Sequence, residues 1–284
     1  MRGAGGPEGL RKERPDVLLS WVAEHVGLRI DGLRGEDLST RLRPVREEIG
    51  SLPAPSVERR LALEERLRER VIGAATITET SFFRAPPQLR GLSVSFLPEL
   101  RARRRATGAF SVRVWSAGCA TGEEAYSLAI LLLESVTPRE AWSLEVLATD
   151  INASALAAAQ EGVYSGRSLD GVSPDRLAAF FEPVGQGRYS VRPEVRRIVR
   201  FRRHSLLEPP PVGLFDVVVC RNLLIYLRPE VVGDVLDGFG SVLRPDGALL
   251  LGDADVPALY SRKWSCVALG DAAYHRPIVE ALTR

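Results

Sequence analysis

From Val112 onward, short β-branched runs alternate with Ala- and Leu-rich stretches of helical period, and this rhythm constrains the fold more than any other feature of the 284 residues. Val112-Arg-Val-Trp-Ser116 reads as a strand, followed by Gly118-Cys-Ala-Thr-Gly122 and a helix from Glu123 to Glu134. Leu144 to Asp150 is the next strand, with a helix over Ala153–Glu161 behind it. Phe215-Asp-Val-Val-Val-Cys220 is a continuous apolar run, as expected of a strand buried on both faces, and a helix follows Pro229. Leu243 to Leu251 reads as a helix end, a turn and a further strand. Strand–helix alternation of this kind predicts a parallel, doubly wound α/β sheet. One segment departs from it. Tyr189 to His204 alternates in a β-like way and carries Arg192, Arg196, Arg197, Arg200, Arg202 and Arg203, which predicts a small antiparallel insertion at about 187–204.

The chain before Val112 has a different character. Residues 1–15 are Gly- and Arg-rich and are expected to be disordered. Residues 16–75 are expected to form an all-helical N-terminal domain. Val17, Leu18, Trp21, Val22 and Val26 fall on one helical face, and Leu61, Leu63, Leu67, Val71 and Ile72 on that of a second helix. Ser51-Leu-Pro-Ala-Pro-Ser56 separates the two. Residues 76–111 are expected to be a linker that also carries the first segment of a ligand site, ahead of the α/β domain, 112–284. A formal charge of +2 shows no nucleic-acid footprint. Three scattered cysteines, Cys119, Cys220 and Cys266, exclude a disulfide framework, and together with three scattered histidines they show no metal-ligand spacing. The first residues lack the apolar run of a signal peptide and no stretch has the length of a membrane span, so the chain is expected to be cytoplasmic.

In doubly wound sheets, ligands bind beyond the carboxyl ends of the strands, where the strand order reverses. Ser116-Ala-Gly-Cys-Ala-Thr-Gly-Glu-Glu124 stands at such an end. Gly118 and Gly122 allow close backbone approach to a ligand, or simply make a tight strand–helix turn. Thr121 with Glu124 matches a capping box. Glu123 and Glu124 at the helix start disfavour a pyrophosphate and suit a cationic ligand. Asp150 ends the next strand, where an acid holds a ribose through its hydroxyls, unless it only caps the following helix. Together these features favour a nucleoside cofactor without a pyrophosphate, and S-adenosylmethionine (SAM) fits. Asn222, at the end of the Phe215–Cys220 strand, can donate and accept hydrogen bonds at once.

With Thr80-Ser-Phe-Phe-Arg84, Val114-Trp-Ser-Ala-Gly-Cys-Ala-Thr-Gly-Glu-Glu-Ala-Tyr-Ser-Leu-Ala129, Ala148-Thr-Asp-Ile-Asn152 and Cys220-Arg-Asn-Leu-Leu-Ile-Tyr-Leu227 in this order, the chain resembles the chemotaxis receptor methyltransferases (the CheR family) from Val17 to Arg276. The resemblance implies a Rossmann-like class I methyltransferase fold, with an N-terminal all-helical domain and a small antiparallel β-subdomain. It also implies transfer of methyl groups from SAM to glutamate carboxylates on the cytoplasmic domain of a chemoreceptor; nothing in the sequence demands more than a monomer. Thr78, Thr80, Arg84, Gly118, Glu124, Asp150, Ser205, Leu206, Asn222 and Leu223 would then hold the cofactor. Glu124 would meet its amino acid portion and Asp150 its ribose, with Arg84 and Tyr226 nearest the transferring methyl.

Three departures from the family's pattern bear on contacts. Thr78 and Ser205 stand where asparagine is common, and Ala125 where proline is. Family members use a basic helix against the receptor; the matching stretch keeps Arg41, Arg43 and Arg46 but adds Pro44, which interrupts a helix. The loop Glu182 to Gly187 is short for a receptor-tail tether, which points to a tether-independent enzyme. Two competing readings are a methyltransferase of another signalling protein and a catalytically inactive docking regulator. Retention of Arg84, Glu124, Asp150, Asn222 and Tyr226 counts against the last.

Overall fold

A computed structural model describes residues 16–137, 140–255, 263–270 and 272–278; the N-terminal fifteen, expected to be disordered, lie outside them. The chain enters through α1 (Val17–His25), whose N-cap Asp16 accepts hydrogen bonds from the amides of Leu18 and Leu19. There follow α2 (Gly32–Arg41), α3 (Arg43–Ile49), α4 (Ala54–Leu63) and α5 (Glu65–Ala75). Pro44 sits in the first turn of α3, where a missing N–H costs nothing, so the interruption it imposes falls one turn early, at Leu42. The second helix expected across Leu61 to Ile72 is two helices instead. Glu64 leaves the helical region (ψ 101°), and the break turns Leu63 out to solvent while Leu61, Leu67, Val71 and Ile72 stay buried.

After α6 (Pro86–Gly91), a π-turn over Leu92–Phe96 and α7 (Leu97–Ala106), the alternating region begins. It runs β1 (Ser111–Ala117), α8 (Glu123–Ser135), β2 (Ser143–Asp150), α9 (Ala153–Glu161), β3 (Val163–Ser165), α10 (Pro174–Phe180), β4 (Phe181–Gly185), β5 (Arg188–Val191), the single turn α11 (Pro193–Arg196) and β6 (Val199–Arg203). It closes with β7 (Phe215–Cys220), α12 (Pro229–Val242), β8 (Leu243–Leu251), β9 (Trp264–Leu269) and β10 (Ala272–Pro277). Seven strands form one sheet in the order β6-β2-β1-β7-β8-β10-β9. The first five are parallel, and β10 runs antiparallel to both β8 and β9. The doubly wound expectation holds for this sheet, but the sheet is mixed: β6, β2, β1, β7 and β8 meet the parallel expectation and β10, which is reversed, does not. The turn at Pro245-Asp246-Gly247 is absorbed as a register shift: Phe215 faces Leu243, yet Val217 already faces Ala248.

The antiparallel insertion is correctly expected in kind and misplaced in sequence. The three-stranded sheet is β3-β5-β4, within residues 163–191, and β6, assigned to it from its alternation, is the edge strand of the main sheet, parallel to β2. An edge strand has one flank open to solvent and so alternates Arg with apolar residues, much as an antiparallel hairpin does. The β4–β5 turn uses Gln186 and Gly187, both at positive φ, the geometry that a tight hairpin requires.

Two clusters of buried side chains cover the faces of the main sheet. One packs α8, α7 and the small sheet against Val114, Val146, Val217 and Leu250. In the other, Leu18, Leu38, Leu61 and Val71 of the N-terminal helices join Trp115, Phe215, Val218 and Leu249 of the sheet and Phe239 of α12. The helical region therefore shares a core with the sheet. A backbone bridge between Leu28 and Leu227 fastens the two, flanked by Arg29 N donating to Tyr226 O and Arg228 N to Gly27 O.

Candidate active site

The sheet runs outward from β1 through β2 to β6, then returns to lay β7 on the other side of β1. The strand order thus reverses between β1 and β7, and a cavity opens beyond the carboxyl ends of these strands, closed on its far side by α2 and the 76–84 segment. The loop after β1 forms its floor. Gly118 (φ 80°) and Cys119 turn their amides onto Thr149 O at 2.8 and 2.9 Å, and a Cβ at Gly118 would lie 2.6 Å from a Leu223 methyl. Only glycine fits there.

The expected capping box does not form. Gly122 (φ 96°) is the N-cap of α8, so Thr121 lies outside the helix and hydrogen-bonds the Glu123 carboxylate. That places the two glutamates on different sides. Glu123 turns from the cavity to accept from Thr121 and Ser168. Glu124 lines the cavity, with Oε1 accepting from Ser116 Oγ at 2.7 Å and Oε2 from Arg221 Nε at 2.8 Å. One carboxylate, not two, faces a ligand.

Asp150 is not the helix cap. Asn152 performs that role for α9, accepting from the amides of Ser154 and Ala155. Asp150 instead accepts from Ala120 N and Asn152 N, one per carboxylate oxygen, both at 2.9 Å. Each oxygen keeps a free lone pair, enough for two ribose hydroxyls. Burial raises the Asp150 pKa above the ordinary aspartate value, against the backbone amides that lower it. Burial also pushes the Cys119 thiol well up, aided by the charges of Asp150 and Glu124, so it stays protonated and unreactive.

Thr80, Arg84, Ser205, Leu206, Asn222, Leu223 and Tyr226 join Gly118, Glu124 and Asp150 around this one cavity. Thr78 does not line it; Thr76 and Ile77 do, the former holding Asn152 Nδ2 at 2.8 Å. Ser205 Oγ is engaged with Leu207 N. Arg84 projects to solvent, with one guanidinium nitrogen 3.3 Å from Glu79 O, after Phe83 at φ 51°. The Tyr226 ring lies 5.2 Å below the Arg34 guanidinium. Asn222 adopts the left-handed conformation (φ 57°), which asparagine tolerates better than most residues.

A family profile, the CheR methyltransferase SAM-binding domain, matches residues 78–267, more than half of the chain and the part of the cavity wall that runs from Glu79 to Leu227. The chain belongs to the CheR methyltransferase family. It is 38% identical over 193 residues to a chemotaxis protein methyltransferase of Vibrio parahaemolyticus, covering 66% of this chain and 68% of that protein. It is 36% identical over 225 residues to chemotaxis protein methyltransferase 1 of Pseudomonas aeruginosa, covering 77% and 81%. This methyltransferase is therefore SAM-dependent, and the donor set is compatible with such a cofactor: Asp150 keeps acceptor capacity toward the cavity and Glu124 presents a carboxylate to it.

Three residues that hold the site escape a reading of the motifs. Arg221 is buried against Glu124; Gln88 bridges it to Leu251 O and Asp253; and Asp255, 1% exposed, accepts from Asn222 N at 2.5 Å and Ile225 N at 3.0 Å. Asp255 fixes the loop that carries Asn222 and Tyr226. Burial raises its pKa, while those amides act to lower it. The basic stretch expected to meet substrate is partly spent on structure. Arg41 donates to Ala74 O and Ala75 O, and Arg46 to Ser39 O. The described residues contain no cluster of candidate metal ligands and no helix long and apolar enough to cross a membrane.

Proposed function

We propose that this methyltransferase esterifies glutamate side chains on the cytoplasmic domain of a chemoreceptor, acting in the cytoplasm as a monomer. The observation that carries the reading is the convergence of Glu124, Asp150, Arg84 and Tyr226 on one cavity at the β1/β7 reversal, in a chain of the CheR family. SAM, when bound, supplies an electrophilic methyl on a cationic sulfur. A glutamate side chain is already ionised at neutral pH, titrating near ~4.3, so no base is needed. Its oxygen would form the new C–O bond as the C–S bond broke, the electron pair leaving with sulfur. The chain's task is position and exclusion of water. Asp150 and Glu124 would orient the donor through ribose and ammonium, beside the apolar Leu206 and Leu223 in the same wall. Arg84 meets the incoming carboxylate with its guanidinium fork, and its exposure to solvent screens that contact and so limits stabilisation of the ground state. The names of the relatives support a chemotaxis substrate. The β4–β5 hairpin, closed by a two-residue turn, supports an enzyme that works without a receptor-tail tether.

The test uses SAM labelled in the methyl group and the purified cytoplasmic domain of a receptor encoded in the same genome. The expected result is label on the receptor that mild alkali releases as methanol, the behaviour of a glutamate methyl ester. Alkali-stable label, or none, would sink the reading.

A further inference from the structure

Arg221 is the first residue beyond β7, and its side chain is 3% exposed. Its Nε donates to Glu124 Oε2 at 2.8 Å, and its Nη1 donates to the backbone carbonyl of Arg84 at 2.7 Å, with Gln88 Oε1 3.4 Å away. Ser116 Oγ holds the other oxygen of Glu124, and Gln88 Nε2 continues the chain to Leu251 O at 2.8 Å. One buried guanidinium thus ties together the ends of β1, β7 and β8, the first turn of α8 and the segment that carries Arg84. Stability alone is a poor reason for such a pair, because taking both charges out of water costs about what their attraction returns. Well-packed apolar side chains would hold these elements equally well. What they could not do is present a carboxylate in one fixed rotamer with lone pairs left toward the cavity.

We propose that Arg221 is a positioning residue for the amino acid half of the cofactor. It fixes Glu124 as the acceptor for the ammonium and sets the Arg84 backbone in the same frame, so that cofactor grip and the methyl-transfer end share one anchor. The proposal rests on the reading that Glu124 meets the amino acid portion. A lysine at 221 keeps the charge but cannot span Glu124 and the Arg84 carbonyl with a rigid fork.

The experiment compares two ligands by calorimetry on the full chain: S-adenosylhomocysteine (SAH), and 5′-methylthioadenosine, which keeps the nucleoside and sulfur but lacks the amino acid. Arg221→Lys, which keeps the buried charge opposite Glu124, is expected to bind SAH about tenfold or more weakly, the loss of one charge-assisted hydrogen bond. Its affinity for methylthioadenosine is expected to stay within about twofold of the parent. Arg221→Gln combined with Glu124→Gln should bind SAH no more weakly than Glu124→Gln alone. An equal loss for both ligands in Arg221→Lys would mark Arg221 as merely structural, and an unchanged SAH affinity would overturn the proposal outright. If the parent bound SAH no tighter than methylthioadenosine, the role of Glu124, and with it this proposal, would fall, while the nucleoside site would stand.

Discussion

Arg84 and Asp150 show how differently two residues of one site are held. The Arg84 side chain is exposed and weakly tethered, so its substitution carries little folding cost. Arg84→Lys is therefore expected to slow methyl transfer by about tenfold or more while the melting temperature stays within about a degree, because lysine replaces a bidentate fork with a point charge. Steady-state rates beside a thermal melt check this. Asp150, by contrast, is wired to two amides and desolvated, and its raised pKa sets the sign of a pH effect. As pH falls through that raised value, protonation removes an acceptor that the proposed ribose contact needs. SAH affinity should therefore weaken on acidification starting above 3.8, the ordinary aspartate value. A titration series that held flat down to 3.8 would contradict the assignment. Glu124, Asp150 and Asn222 were legible in the sequence because strand ends in a doubly wound sheet converge. Arg221, Gln88 and Asp255 were not: in sequence a charged or amide residue beside a strand end looks the same whether it is solvated or folded inward. Glu123 and Glu124 illustrate the limit, since adjacent residues on a helix point some 100° apart, and only the N-cap position decides which one meets the cavity.

At the scale of elements, the β1–α8 loop does the most with the least sequence. Gly118 combines a left-handed backbone with a close approach to Leu223, so Gly118→Ala suffers twice: ~1–2 kcal/mol for the conformation, and a steric push on the loop that bears Asn222. A melting temperature lower by several degrees, with weaker SAH binding, is the expected outcome of thermal shift and calorimetry. The strands and helices of the α/β region were readable because burial on both faces leaves long apolar runs. The element that misled was β6. An edge strand rich in arginine has the alternation of a hairpin strand, and only its pairing with β2 tells the two apart. The break at Glu64 was equally invisible, since glutamate is a good helix former and nothing local demands a stop.

At the scale of the whole molecule, the N-terminal helices and the sheet are joined by a common buried cluster and by the Leu28–Leu227 bridge beside Tyr226. The helical region also contributes Arg34 and Leu38 to the cavity wall, so the site is incomplete without it. Heat is therefore expected to unfold both parts in one transition, and saturating SAH, at about 100 times its Kd, to stabilise that single transition by ~2.7 kcal/mol. Two separate transitions in scanning calorimetry, with only one moved by SAH, would mean that the shared core does not couple them. The change of rhythm near Val112 showed that two kinds of structure were present. That they share a core was not legible, because one buried face of a helix looks like any other in sequence.

The central claim is that the cavity at the β1/β7 reversal is a nucleoside cofactor site organised around Asp150. Calorimetric titration of the intact protein with SAH, beside Asp150→Ala, tests it most directly. Saturable binding to the parent that the folded variant loses is the predicted result. A folded parent that does not bind SAH, or a folded Asp150→Ala variant that binds it equally well, would contradict the claim.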